Sequence, residues 1–219
     1  MLRIHGVLAG GGALALVITG SFAGPALAAP TAATNWHLGV YTPSGRTLSQ
    51  AETSTPATGL AEFQFTTAPN TALLLNTQGS QKSLLGNDAG KTVTASFTIS
   101  AKGSAFTYYG EGTSGNSCGS AANVRLFFET STAGGFAPTQ YWWSNPVGAK
   151  ALGNGTYTVT APLYPGDWTD YYGQMSSSGF AAAAANVTGI GLSFGGGCFF
   201  ENGVGAPNAS FTLNSFKVS

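Results

Sequence analysis

Between Thr92 and Ile99 the chain alternates without a break: Val93, Ala95, Phe97 and Ile99 are apolar, while Thr92, Thr94, Ser96 and Thr98 carry hydroxyls. A period of two sends the first set to one face of a strand and the second to the other, so the segment has to be half-buried β-structure. Comparable runs occupy 36–41, 60–65, 105–109, 124–129, 140–144, 156–163, 188–194 and 211–218, separated by turn clusters such as Gly86-Asn-Asp-Ala-Gly90 and Gly153-Asn-Gly155. Nine such runs in one small chain predict an all-β fold, an antiparallel β-sandwich or barrel. In the last run Phe211 and Leu213 share one parity and Phe216 and Val218 the other, which predicts a bulge near Asn214 or Ser215. Only 178–186, with five consecutive alanines after Phe180, reads as a short helix. The polar stretch 42–57 reads as one extended surface loop.

The first 28 residues have the build of a secretory signal peptide: Arg3 and His5, an apolar run from Val7 to Ile18, then Ala26-Leu27-Ala28 with small residues at the cleavage positions. The apolar run falls short of the roughly 20 residues that a spanning helix needs. The expectation is a secreted, extracellular protein with 1–28 removed, 29–219 as a single domain, and no membrane contact after cleavage. Removing Arg3 leaves seven basic against eight acidic side chains, a net charge of −1. Without a basic cluster the chain lacks what phosphate contacts need, so nucleic acid is not an expected partner. Charged residues make up only 7% of the sequence, so the surface has to be built from Thr, Ser, Asn, Gln and Gly. Such a surface suits work on or near neutral polysaccharide, and equally a passive scaffold.

The only cysteines, Cys118 and Cys198, each stand beside glycine. In an oxidising compartment they are expected to form a disulfide, the alternatives being two free thiols or an intermolecular bridge.

The second half, with Tyr157-Thr-Val-Thr-Ala-Pro-Leu163, Gly166-Asp-Trp168, Phe180 and its alanine turn, Asn186-Val187, Ile190-Gly-Leu192 and Phe211-Thr-Leu213, resembles the galactose-binding-like jelly-roll domains. That group includes secreted carbohydrate-binding modules and laminin-B-type sandwiches. The resemblance covers roughly 156–218, more loosely 92–145, and is a pattern of core positions. It implies a jelly-roll type of sandwich, a core role for Trp168, and glycan binding by analogy.

Trp and Tyr offer flat faces that stack on the C–H faces of sugar rings. Strand alternation sends Tyr141 and Trp143 to one face and Trp142 to the other, so either one tryptophan is in the core and its neighbour exposed as a platform, or all three are shared between core and loop packing. Asp167, Asp170 and Tyr171, on the loop around Trp168, complete the candidate ligand site, with Tyr172 as their neighbour. Trp36 alternates with Leu38 and Val40 and belongs to the core, and Tyr108 and Tyr109 face opposite ways. No cofactor is expected, since no His/Cys cluster has zinc spacing, although Asp167 and Asp170 are oxygen donors of the kind calcium takes. The competing reading is a retaining glycosidase, for which two carboxylates about 5 to 5.5 Å apart are required. Glu129 and Glu201 are the best pair, with Glu111 in reserve. A serine triad would have to recruit His37, and no Gly-x-Ser-x-Gly elbow exists. The third reading is a passive structural or adhesion domain.

Overall fold

The alternating run from Thr92 to Ile99 becomes the strand Thr92–Ser100, whose burial alternates residue by residue along its whole length. It is one of fourteen strands in a computed structural model that describes residues 36–42, 45–50, 61–77, 84–112, 120–130, 137–145, 148–175, 179–197 and 202–219. In chain order they are β1 (Trp36–Thr42), β2 (Gly45–Gln50), β3 (Glu62–Gln64), β4 (Thr71–Asn76), β5 (Thr92–Ser100), β6 (Thr107–Tyr108), β7 (Asn123–Glu129), β8 (Tyr141–Ser144), β9 (Lys150–Ala151), β10 (Gly155–Pro162), β11 (Trp168–Thr169), β12 (Gly189–Gly195), β13 (Val204–Gly205) and β14 (Ser210–Val218). One helix, α1 (Phe180–Ala184), lies within the predicted alanine segment.

The strands form two sheets with antiparallel pairing throughout, an all-β sandwich. The smaller runs β10-β5-β14-β3. The larger runs β11-β8-β7-β12-β4-β1-β2, with β13 and β6 continuing from β4 and β9 beside β7. Between the sheets lies the main core. Phe97 of β5 stacks on Phe211 of β14 at 5.1 Å, and Phe128 of β7 meets Trp168 edge-on at 5.0 Å. The helix brings Phe180 perpendicular to Trp142, also at 5.0 Å. Trp36 is buried in the same cluster, as its alternation required.

The bulge falls where the phase change put it. Pairing of β14 with β5 shifts between Leu213 and Ser215, and this one extra residue returns Phe216 to the face that Phe211 and Leu213 already occupy. The reading of 42–57 as loop is corrected, since Gly45–Gln50 is strand β2, hydrogen-bonded to β1 as a hairpin. Its polar composition hides it, because an edge strand needs no continuous apolar face. Strand β4 also escaped the period-two argument. All six of its residues are buried, so Leu73-Leu74-Leu75 never alternates.

Strands β10 and β11 end their respective sheets on the same side of the sandwich. There the indole Nε1 of Trp168 donates to the Pro162 carbonyl at 2.7 Å, tying one sheet's edge to the other's. The core role implied for Trp168 is therefore met, with its one polar atom satisfied.

Candidate functional site

The larger sheet has a second face, and the alternation of β7 and β8 decides what stands on it. With Phe128 and Trp142 inward, Phe127, Tyr141 and Trp143 point away from the main core. Phe127 pairs directly with Trp143 across the ladder, their rings 5.1 Å apart. Leu73 and Leu75 of β4 join them in a separate apolar cluster, with Tyr141 and Tyr171 packed at its margin. The Trp143 indole reaches past β7 to β12, where Nε1 donates to Ser193 Oγ at 3.0 Å. Gly191 of β12 is required there. A Cβ would come within 1.8 Å of the Leu74 carbonyl oxygen, so β12 approaches β4 closer than any side chain permits.

Arg125 shares this outward parity, but it is not a solvated sheet residue. It is buried, with Nε donating to the Ser144 carbonyl at 2.6 Å and Nη2 to Thr169 Oγ1 at 2.9 Å. With its carbonyl so engaged, Ser144 offers its hydroxyl to the ladder instead, and Oγ accepts the Leu126 N–H at 3.0 Å.

After β11 the chain makes a tight loop that displays two tyrosines. The Asp170 carboxylate accepts the N–H groups of Tyr172 and Gln174, each at 2.9 Å, while the Asp170 N–H donates to the Gln174 carbonyl. Gly173 takes a positive φ of 76°, and the Tyr171 N–H donates to Pro138. Tyr171 lies 6.3 Å from both Tyr141 and Trp143, and Tyr172 stands edge-on to Tyr171 at 5.6 Å. Tyr172 is 62% exposed, whereas Tyr141 and Tyr171 are half-buried.

The six predicted ligand residues thus divide. Tyr141, Trp143 and Tyr171 come together, with Tyr172 outermost. The expectation that one of the paired tryptophans faces solvent is corrected: Trp142 is 0% and Trp143 1% exposed. Alternation separated their faces as argued, but both faces of the larger sheet are buried where β7 and β8 lie, and Trp143 serves as a backing to the tyrosines. Asp170 is corrected as well, being buried and committed to its own loop. Asp167 lies elsewhere, on a cleft between the sheets lined also by Leu126, Ser144, Asn145, Val159 and Ala161. Of the calcium donor pair, Asp170 caps a turn with its carboxylate and Asp167 lies on the lining of this cleft. Among the described residues no group of three or more His, Cys, Asp or Glu gathers as a metal site.

Glu129 is half-buried on the outward face, its side chain lying against Gly189 so closely that a Cβ there would come within 2.9 Å of Cγ. Glu201, Cys118 and Cys198 lie outside the described residues, as do 1–28. Glu111 is exposed, its carboxylate accepting the Tyr108 N–H. Tyr108 is buried and Tyr109 exposed, as their opposite parity required. No described helix is long and apolar enough to cross a membrane. Sequence reasoning named Tyr172 only as a neighbour, and gave no sign of the Arg125 to Ser144 link, which depends on side-chain reach across strands. Comparison with protein-family models, with curated proteins and with solved structures finds no match to this chain.

Proposed function

We propose that this is a secreted, non-catalytic domain that binds a neutral glycan through Tyr141, Tyr171 and Tyr172. The observation that carries the reading is the exposed Tyr172 ring standing on Tyr171, in a loop whose shape is set by the Asp170 carboxylate. A ring presented on a braced loop loses little conformational freedom when a sugar stacks on it. No cation lies in this loop, and the nearest carboxylate is occupied with backbone N–H groups. Affinity would therefore come from stacking and neutral hydrogen bonds, with little dependence on salt.

The secretory leader and the Cys118–Cys198 disulfide belong to the same proposal. Near both cysteines the two chain segments are joined: the Ser120 hydroxyl donates to the Gly196 carbonyl, and Asn123 pairs with Gly195 across the ladder. The jelly-roll type is likewise proposed, supported by a chain that passes repeatedly between the sheets, as from β4 to β5 and from β12 and β13 to β14. The resemblance to galactose-binding-like domains points the same way.

Affinity electrophoresis in neutral β-glucan, xylan, mannan and cell-wall glycans tests the reading. The wild type should be retarded by at least one of them, and Tyr172→Ala should lose the retardation with an unchanged melting curve. Burial of both Trp142 and Trp143 favours a second reading, the passive extracellular domain. Absence of any retardation would favour that one instead, and full retardation of a double Tyr171→Ala, Tyr172→Ala variant would move the glycan contact away from the tyrosines.

A further inference from the structure

A cleft of about 350 Å³ opens on the side of the sandwich where β10 and β11 end their sheets, and the tyrosine loop does not use it. That volume is at the lower end of small-molecule sites. Leu126, Val159 and Ala161 supply an apolar wall, and four polar residues, Ser144, Asn145, Thr160 and Asp167, share the lining, with the Thr160 hydroxyl already bonded to Thr94. Asp167 is held rigidly by its backbone: its N–H donates to the Tyr164 carbonyl at 3.2 Å and its carbonyl accepts the Asn145 N–H at 2.7 Å. Its carboxylate makes no hydrogen bond or ion pair among the described residues, and no Lys or Arg lines the cleft.

Ser144 adds the deciding detail. It is only 6% exposed, and its Oγ already accepts the Leu126 N–H, so what remains is the hydroxyl proton, which has no acceptor among the described residues. The cleft therefore presents a half-buried carboxylate with no donor from the described residues and a buried hydroxyl with no acceptor among them. A protonated amine answers only the first demand, because an ammonium group accepts nothing. A hydroxyl answers both, and a ring carrying several hydroxyls around a C–H face also covers the apolar wall.

We propose that this cleft is a binding site for a single neutral sugar residue, with a ring hydroxyl donating to the Asp167 carboxylate and another oxygen accepting from Ser144 Oγ–H. The site stands without the tyrosine platform and lies inside the sandwich edge, opposite the outward face.

Titration of the isotope-labelled protein with D-glucose, D-galactose, D-mannose and N-acetyl-D-glucosamine, followed by amide NMR shifts, tests it, with n-butylammonium and butan-1-ol as comparison probes. At least one sugar should move the amides of Asn145, Gly148, Thr160 and Asp167 saturably. Asp167→Ala should weaken that sugar tenfold or more at an unchanged melting temperature, and Asp167→Asn, which keeps an acceptor oxygen, should weaken it less. Tyr172→Ala should leave these shifts as they are. Three results would each overturn the proposal: saturation by butylammonium or butanol without any sugar, a sugar affinity indifferent to Asp167→Ala, or sugar shifts confined to Tyr171 and Tyr172. The last would leave the tyrosine reading intact.

Discussion

The indole N–H of Trp143 is bonded to the hydroxyl of Ser193 at 3.0 Å, although a whole strand, β7, lies between the strands that carry them. The ring is therefore laid along the outward face of the larger sheet and its only polar atom is used up inside the protein. Ser193→Ala should leave that buried N–H without a partner and cost about 1 to 3 kcal/mol, measured by urea unfolding. Unchanged stability would mean that the indole turns to water.

Trp142→Ala and Trp143→Ala should behave alike despite their opposite faces. Both remove a fully buried ring, and each should cost about 3 to 5 kcal/mol. A Trp143→Ala protein as stable as the wild type would restore the idea of an exposed platform at that position.

Asp170→Ala should open the tyrosine loop. Two backbone N–H groups lose their acceptor, for a loss of about 1 to 3 kcal/mol. Glycan retardation should fall with it even though Asp170 touches no ligand, and Asp170→Asn, with an oxygen in the same place, should recover most of both. Equal loss in the two variants would point to charge in place of geometry.

Gly191→Ala should prevent folding, since the Leu74 carbonyl occupies the space a methyl group needs. Expression in soluble form with native circular dichroism would show that β12 and β4 can separate.

The double substitution Cys118→Ser, Cys198→Ser should lower the melting temperature markedly, because closing a loop of about 80 residues stabilises by roughly 4 to 5 kcal/mol in the chain-entropy description. Two titratable thiols in the native, unreduced wild type would refute the bridge.

What the sequence discloses depends on how many faces of a strand meet water. Strands β5 and β10 have one wet face and one dry, and their threonines mark them at once. So does the phase change at Leu213 to Ser215, because a strand with a single apolar face records each extra residue. Strand β4 has two dry faces and looks like any apolar run, and for the same reason the exposure of Trp143 was unreadable: alternation says which way a side chain points, not whether something lies above it. The loop site was half legible. Tyr171 and its neighbours announced a turn rich in rings, but the Asp170 carboxylate looked like a ligand group, since its bonds to Tyr172 and Gln174 are formed only when the loop closes.

Proteins built of open sheets carry a standing hazard, because an unpaired strand invites another chain to add to it. On the side where β10 and β11 lie, the bond from Trp168 to Pro162 bears on that hazard. Strand β11 offers only two residues of ladder, and β10 terminates in a proline that has no N–H to give. With these ends pinned to each other, the flank is blunted at its Pro162 end, and a second molecule adding to this side would have to pair with Gly155–Ala161 of β10, away from the tie.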